Sequence, residues 1–237
     1  MTSISWISLL WCLIPVIMIS IIYWKWQGNV WEIGYASGRM LGQLVGIGFI
    51  LAFLFESPSP WTTLTLLSIM AFAAGWIAMR PVKHHAGFLL PTLIALVVSV
   101  SGHLFITIQF VIDVAVWYDP RVLIPLAGMY FANAMNATSL AAERFHAERH
   151  RGIDGSEARF RAFHAALIPQ INSLLAVGLV ALPGMMTGQI LSGVSPLTAV
   201  KYQILIMTMI LGSSGLATAL LLWQLSKQSK LYFKPAA

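Results

Sequence analysis

The 237-residue chain is 58% apolar and only 9% charged, with a mean hydropathy of +0.80 and a formal charge of +6. A charged content this far below the roughly 25% of ordinary soluble domains excludes water as the main solvent. The single cysteine, Cys12, excludes an internal disulfide, and the basic excess is assigned below to membrane topology, which makes nucleic acid a poor candidate partner.

About 20 mostly apolar residues cross a bilayer core, and seven stretches meet that requirement: 6–24, 40–55, 61–79, 88–112, 122–142, 165–191 and 199–225. They are too long and too unalternating for barrel strands, and lipid leaves backbone groups no partner outside the segment, so helices are expected. The expected fold is all-α and polytopic, with about seven transmembrane helices in a single membrane domain over 1–237 and the lipid bilayer as its surroundings.

The first stretch has no basic residue before Trp6 and no small-x-small site before Lys25, so it is expected to stay as a helix and not to be cleaved as a signal. The second is short. It extends back through Gly34 and Gly38, or else its entry with Trp31 and Glu32 lies along the headgroups. Gly38, Gly42 and Gly46 clear one face for helix packing or for a pore wall beside Arg39 and Gln43. Small residues recur at Ala71, Ala74 and Gly75, and again from Gly212 to Gly215.

Polar side chains inside spans mark interhelical bonds or substrate paths. The fourth span carries His103, Thr107 and Gln109, the fifth Asn133 and Asn136, and the sixth Gln170, Asn172, Thr187 and Gln189. These three helices are the candidates for lining a path. His103 reads first as a buried histidine bonded to a neighbouring helix. Asn133 and Asn136 suit an interhelical clasp or a polar stripe.

In the sixth span Pro183 removes a backbone donor and Gly184 permits unusual φ, so the helix is expected to break there, as a hinge, a binding site or a kink. Met185 and Met186 follow at once, as packing or as soft thioether contacts. The linker at about 143–164 alternates Arg, His and Glu at helical spacing and reads as a charged surface helix or helix pair able to dock a partner. Within it His146 and His150 lie one turn apart, but Ala147 stands where a zinc protease helix needs Glu.

If seven helices alternate, Lys25, Arg39, Arg80, Lys83, Arg144, Arg149, Arg151, Arg159, Arg161, Lys227, Lys230 and Lys234 share one side, against Arg121 and Lys201 on the other. The positive-inside rule makes the first side cytoplasmic, with the N-terminus outside and the C-terminus inside. Glu56, Asp113 and Asp119 fall in outer loops, as solvated carboxylates or as a weak attraction for cations. No G-x-x-x-x-G-K-[ST] loop occurs, so ATP phosphates must be held by another subunit.

The run from Ile168, IPQINSLLAVGLVALPGMMTGQILSGVSPLTAVKYQILIM, together with Trp117-Tyr118-Asp119-Pro120 and the following IPLAGMYFANAMNATSL, resembles the FetB-like iron-export permeases of ABC transporters, whose plant relatives are the aluminium-sensitivity permeases. Arg39 with Gln43-Leu44 is similar to that family's second span. The likeness runs from Arg39 to Leu211 and is strongest in its last third.

The resemblance implies the membrane half of a half-transporter in an inner, plasma membrane: a homodimer paired with two copies of a separate ATPase that holds ATP and Mg, with no cofactor on this chain. Transport of iron or another metal cation would be its activity, not catalysis. The plant branch adds the alternative of a sugar nucleotide or another organic solute. A stand-alone secondary transporter should show symmetry between halves, and no convincing repeat is found. An intramembrane enzyme would need a catalytic pair that the spans lack.

Along the path, Asn133, Asn136, Asn172, Met185, Met186 and Gln189 are expected to contact cargo, with Pro183 and Gly184 as the hinge. Arg149, Arg151, Glu157 and Arg159 are expected to meet the ATPase, because a charged, hydrated element is what a soluble partner recognises. The family's longer cytoplasmic coupling segment is replaced here by Gly152-Ile153-Asp154-Gly155 and residues 157–163.

Overall fold

The computed structural model describes residues 5, 7–82, 86–112 and 114–232, with side chains described as far as Lys227 except at Ala86. Expectations for Trp6, Lys83, Asp113 and Lys234, and for the side chain of Lys230, lie outside the described residues. The chain divides into two compact units, Met1–Ser57 and Pro58–Ala237.

In the first unit a 3-10 turn at Ser8–Cys12 feeds α1 (Leu13–Lys25), and a tight turn leads to α2 (Val30–Glu56). A Cβ at Gly28 would fall 2.6 Å from the Tyr23 ring, so any other residue here would force that ring to move. Asn29 caps α2, its side chain accepting from Trp31 N at 3.1 Å, and Glu32 sits in the first turn where the helix dipole favours a carboxylate. The helix runs unbroken through Gly34 and Gly38, so the interfacial elbow is not formed. Leu54 is the one buried residue of α2, and a Cβ on Gly38, Gly42 or Gly46 would meet nothing within 4 Å.

The second unit holds α3 (Pro60–Ala78), α4 (Leu89–Ile106) continued by a π turn at Thr107–Val111, α5 (Pro120–His150), α6 (Gly155–Ala176), α7 (Gly184–Leu191) and α8 (Pro196–Tyr232). Among the described residues, five helical segments are long and apolar enough to cross a membrane: Ser8–Lys25, Val30–Glu56, Pro60–Ala78, Leu89–Val111 and Pro196–Lys227. The other two predicted spans are α5, whose apolar run is diluted by Asn133, Asn136, Thr138 and Ser139, and the divided pair α6 and α7. Among the described residues there is no strand, and the chain is a nearly all-helical, multi-pass membrane protein.

Two apolar clusters hold this unit together. One gathers Leu96, Val100, Leu126, Tyr130 and Ile206; the other gathers Phe88, Phe145, Leu221, Leu222 and Leu225. Small residues bring the helices close. Ala158, Ala162 and Ala166 recur every turn on α6 and are fully buried with Ala141 and Ala142 of α5, so backbone approach replaces side-chain bulk at that seam. A Cβ on Gly75 of α3 would collide with the Leu93 side chain of α4.

Polar bonds tie the helices where no water competes. Ser99 Oγ of α4 donates to Ser213 O of α8 at 2.7 Å, and Thr107 Oγ1 and the Tyr130 hydroxyl share a buried hydrogen bond of 2.9 Å. His103 bonds back to its own helix, Nδ1 to Ser99 O at 2.8 Å, and not to a neighbour as expected. Its Nε2 edge lies against Gly212, where a Cβ would come within 2.5 Å, so the glycine of α8 is set by the histidine of α4.

Candidate functional site

The sixth predicted span is interrupted more widely than a proline kink requires. α6 ends at Ala176, Val177 turns extended, and Gly178 takes φ +84, a conformation that favours glycine. Residues 177–183 form a compact turn in which Val180 N and Ala181 N both donate to Ala176 O and Gly178 N donates to Ala181 O at 3.0 Å. Pro183 does not break a running helix. It is the N-cap of α7, its carbonyl accepting from Thr187 N at 3.0 Å, and its missing N–H costs nothing there.

Beside the interruption lies a cavity of about 310 Å³ between the end of α6, the turn, α7 and the N-terminal part of α8. Leu174, Val177 and Leu182 line one side and Val200 and Ile204 another, so the walls are mainly apolar. Gln203, Thr208 and the thioethers of Met186 and Met207 supply its polar and soft atoms. Gln203 is buried at this wall. The Thr208 hydroxyl is already bonded to Ile204 O and Leu205 O, both at 2.9 Å.

Of the residues expected on the path, Met186 and Pro183 line this cavity. Met185 is exposed and is not among the residues lining the cavity, and Gly184 opens α7. Gln189, one turn beyond Met186, holds a buried Oε1 with no partner. Asn172 is exposed on α6 and Asn136 on α5, while Asn133 is half-buried and donates to Met129 O of its own helix at 2.8 Å. The two α5 amides are therefore not brought to the cavity. Gln203 and Met207 were not among the expected path residues, because those were drawn from the fourth, fifth and sixth spans and these two stand on the seventh. Gln203 carries the same signal, a polar side chain in an apolar helix, that picked out Gln189.

The charged linker folds as the end of α5, a four-residue turn and the start of α6. Glu148 is its centre: although buried, it pairs with Arg144 at 2.8 Å, Arg161 at 3.1 Å and Arg151 at 3.5 Å. Arg149 donates to Ile153 O at 2.7 Å, and Glu157 accepts from Arg161 Nε at 2.7 Å. Asp154 caps α6 through Ser156, whose hydroxyl and N–H both bond its carboxylate, and these bonds hold the Asp154 carboxyl below the usual range. Pairing first with Glu157 and then with Glu148 raises the Arg161 guanidinium above its ordinary value.

Of the four docking candidates, Arg151 is largely exposed, Arg149 and Glu157 brace the hairpin, and Arg159 lines a second cavity of about 680 Å³ with Phe160, Phe163 and Trp223. Lys227 sits over the Trp223 ring at 3.7 Å.

Apolar helices joined by small-residue seams, with one of them divided beside a cavity, define a polytopic helical membrane protein. The chain belongs to the family described as Uncharacterised protein family (UPF0014), whose model matches residues 6–160 and 155–229. It is 35% identical to UPF0014 membrane protein slr1647 of Synechocystis, over 84% of this chain and 83% of that one. It is 31% identical to the Probable iron export permease protein FetB of Escherichia coli (79% and 77%) and 30% identical to Protein ALUMINUM SENSITIVE 3 of Arabidopsis thaliana (81% and 76%). No solved structure matches it.

Proposed function

We propose that this protein is the membrane-spanning permease subunit of an ABC transporter, moving a transition-metal cation out of the cell with ATP hydrolysed by a separate subunit. The observation that carries the reading is the interrupted helix at residues 177–183 beside the cavity walled by Met186, Gln203 and Met207. Irregular backbone in lipid is tolerated where protein buries it or where it lines a cavity, and in transporters such breaks lie at the cargo site. Two thioethers and an amide suit a soft or borderline cation more than a hard one. FetB, a relative over most of the chain, is named a probable iron export permease, which supports iron as the first cation to test.

In this reading seven helices span an inner, plasma membrane with the N-terminus outside, and a homodimer of the chain pairs with two ATPase subunits carrying ATP and Mg. The absence of a P-loop in the sequence supports a separate ATPase. ATPase closure presses on the hairpin of α5 and α6, where Arg151 and Arg159 offer charge and Phe160 an exposed apolar face. The push travels along α6 to its interruption, which serves as the hinge.

A second reading follows from the walls themselves. Among the described residues, those lining the cavity include no carboxylate to replace a metal's hydration shell and no cation to meet a sugar nucleotide's phosphates, so a largely apolar organic solute also fits. Proteoliposomes holding the chain and its co-encoded ATPase decide between these. Fe²⁺ that stimulates ATP hydrolysis and crosses the bilayer supports the first reading, stimulation by organic solutes alone supports the second, and transport without any ATPase contradicts both.

A further inference from the structure

On the last two turns of α5, His146 and His150 stand one turn apart with their Nε2 atoms 3.1 Å from each other and ring centroids 4.3 Å apart. We propose that this pair is a binding site for a divalent transition-metal cation such as Zn²⁺. The nitrogen separation is that of a bidentate chelate: two Zn–N bonds of about 2.0–2.1 Å, opened between a right angle and a tetrahedral angle, separate the nitrogens by about 2.9–3.4 Å. Without metal the same approach is an N–H···N hydrogen bond, in which one imidazole donates to the other. Metal replaces that shared proton, and a small rotation of the two rings turns both lone pairs toward it.

The scaffold is rigid, because Phe145 and Glu148, beside the two histidines on the same turns, are fully buried. Little ordering remains to oppose binding. Neutral imidazole suits Zn, Cu, Fe and Ni, and carboxylate neighbours would add affinity. Glu143 lies exposed one turn before His146, and no group of three or more His, Cys, Asp or Glu converges among the described residues. Water therefore completes the shell, and the cation stays exchangeable. The nearby guanidiniums of Arg144 and Arg151 are drawn to Glu148, which offsets part of their repulsion. These residues are separate from those lining the cavity beside α7, so the site stands whichever cargo the protein moves.

The test is titration of the purified full-length chain with Zn²⁺ by calorimetry, beside His146→Asn, His150→Asn and the control His164→Asn, each checked for folding by circular dichroism. Either substitution in the pair is expected to weaken binding at least about tenfold, the scale on which losing even an outer-shell partner acts. The control should leave it unchanged. An electron paramagnetic resonance spectrum of the wild-type chain with one equivalent of Cu²⁺ reads the site without substitution, and two equatorial imidazole nitrogens are expected. Full affinity in the His146→Asn,His150→Asn double variant, or a Cu²⁺ spectrum with fewer than two nitrogens, overturns the proposal.

Discussion

Glu148 at the end of α5 and Arg161 on the second turn of α6 meet across the hairpin turn at 3.1 Å, the carboxylate buried and the guanidinium half-exposed. A buried carboxylate is held in place only by its partners, and here Arg144 and Arg151 join Arg161 around it. Breaking a fully buried pair costs about 3–5 kcal/mol because one charge stays buried and unpaired. Glu148→Gln leaves guanidiniums that can rehydrate, so a loss of about 1–3 kcal/mol is expected, the range for an unsatisfied buried polar group. Thermal unfolding in detergent, followed by proteolysis at residues 151–154, reads it: the variant should be cleaved there at lower temperature.

Asp154 makes the start of α6 sensitive to acid. Its folded pKa is depressed, first by the Ser156 hydroxyl and then by the backbone N–H groups of Ser156 and Gly155, so ionised Asp154 favours the folded cap. That contribution is complete above the unfolded carboxyl value of about 3.9 and is lost as pH falls through the lower folded value. Amide exchange in the first turn of α6 should quicken over that window. Asp154→Asn, which caps without ionising, should keep the turn protected and remove the pH dependence.

Gly212→Ala drives a methyl into the His103 ring, which Ser99 O anchors from its other edge. Overpacking of this kind costs about 1–3 kcal/mol. His103→Ala should relieve it, so the double variant is expected to be more stable than the sum of the single losses. Additive losses in a detergent unfolding cycle would separate the two residues.

Gly178→Ala adds no clash, since nothing lies within 4 Å, but it places a side chain at φ +84. The strain is about 1–2 kcal/mol and falls on the interruption alone. Transport is expected to slow while Tm moves little, because the turn at 177–183 lies outside both apolar clusters.

Long apolar runs were legible because lipid fixes both their length and their composition: 61–79 became Pro60–Ala78 and 199–225 falls inside Pro196–Tyr232. The sequence marked the broken helix at Pro183, yet the turn begins at Val177, because a glycine at positive φ just past the end of α6 closes that helix before a proline opens the next. Neither the buried state of Glu148 nor the approach of Gln203 and Met207 to Met186 could be read locally. Both depend on how separate helices rotate about their axes. Asn133 and Asn136 looked equivalent for a related reason: only packing shows that one bonds its own helix and the other faces outward.

The central claim is that cargo passes the cavity beside the divided helix. Transport into proteoliposomes by the chain with its ATPase, compared with a Met186→Ala, Gln203→Ala, Met207→Ala triple variant that still binds the ATPase, tests it most directly. The account predicts a fall in Fe²⁺ transport of at least about tenfold, roughly 1.4 kcal/mol of lost interaction along the path. Undiminished transport by the triple variant would contradict it.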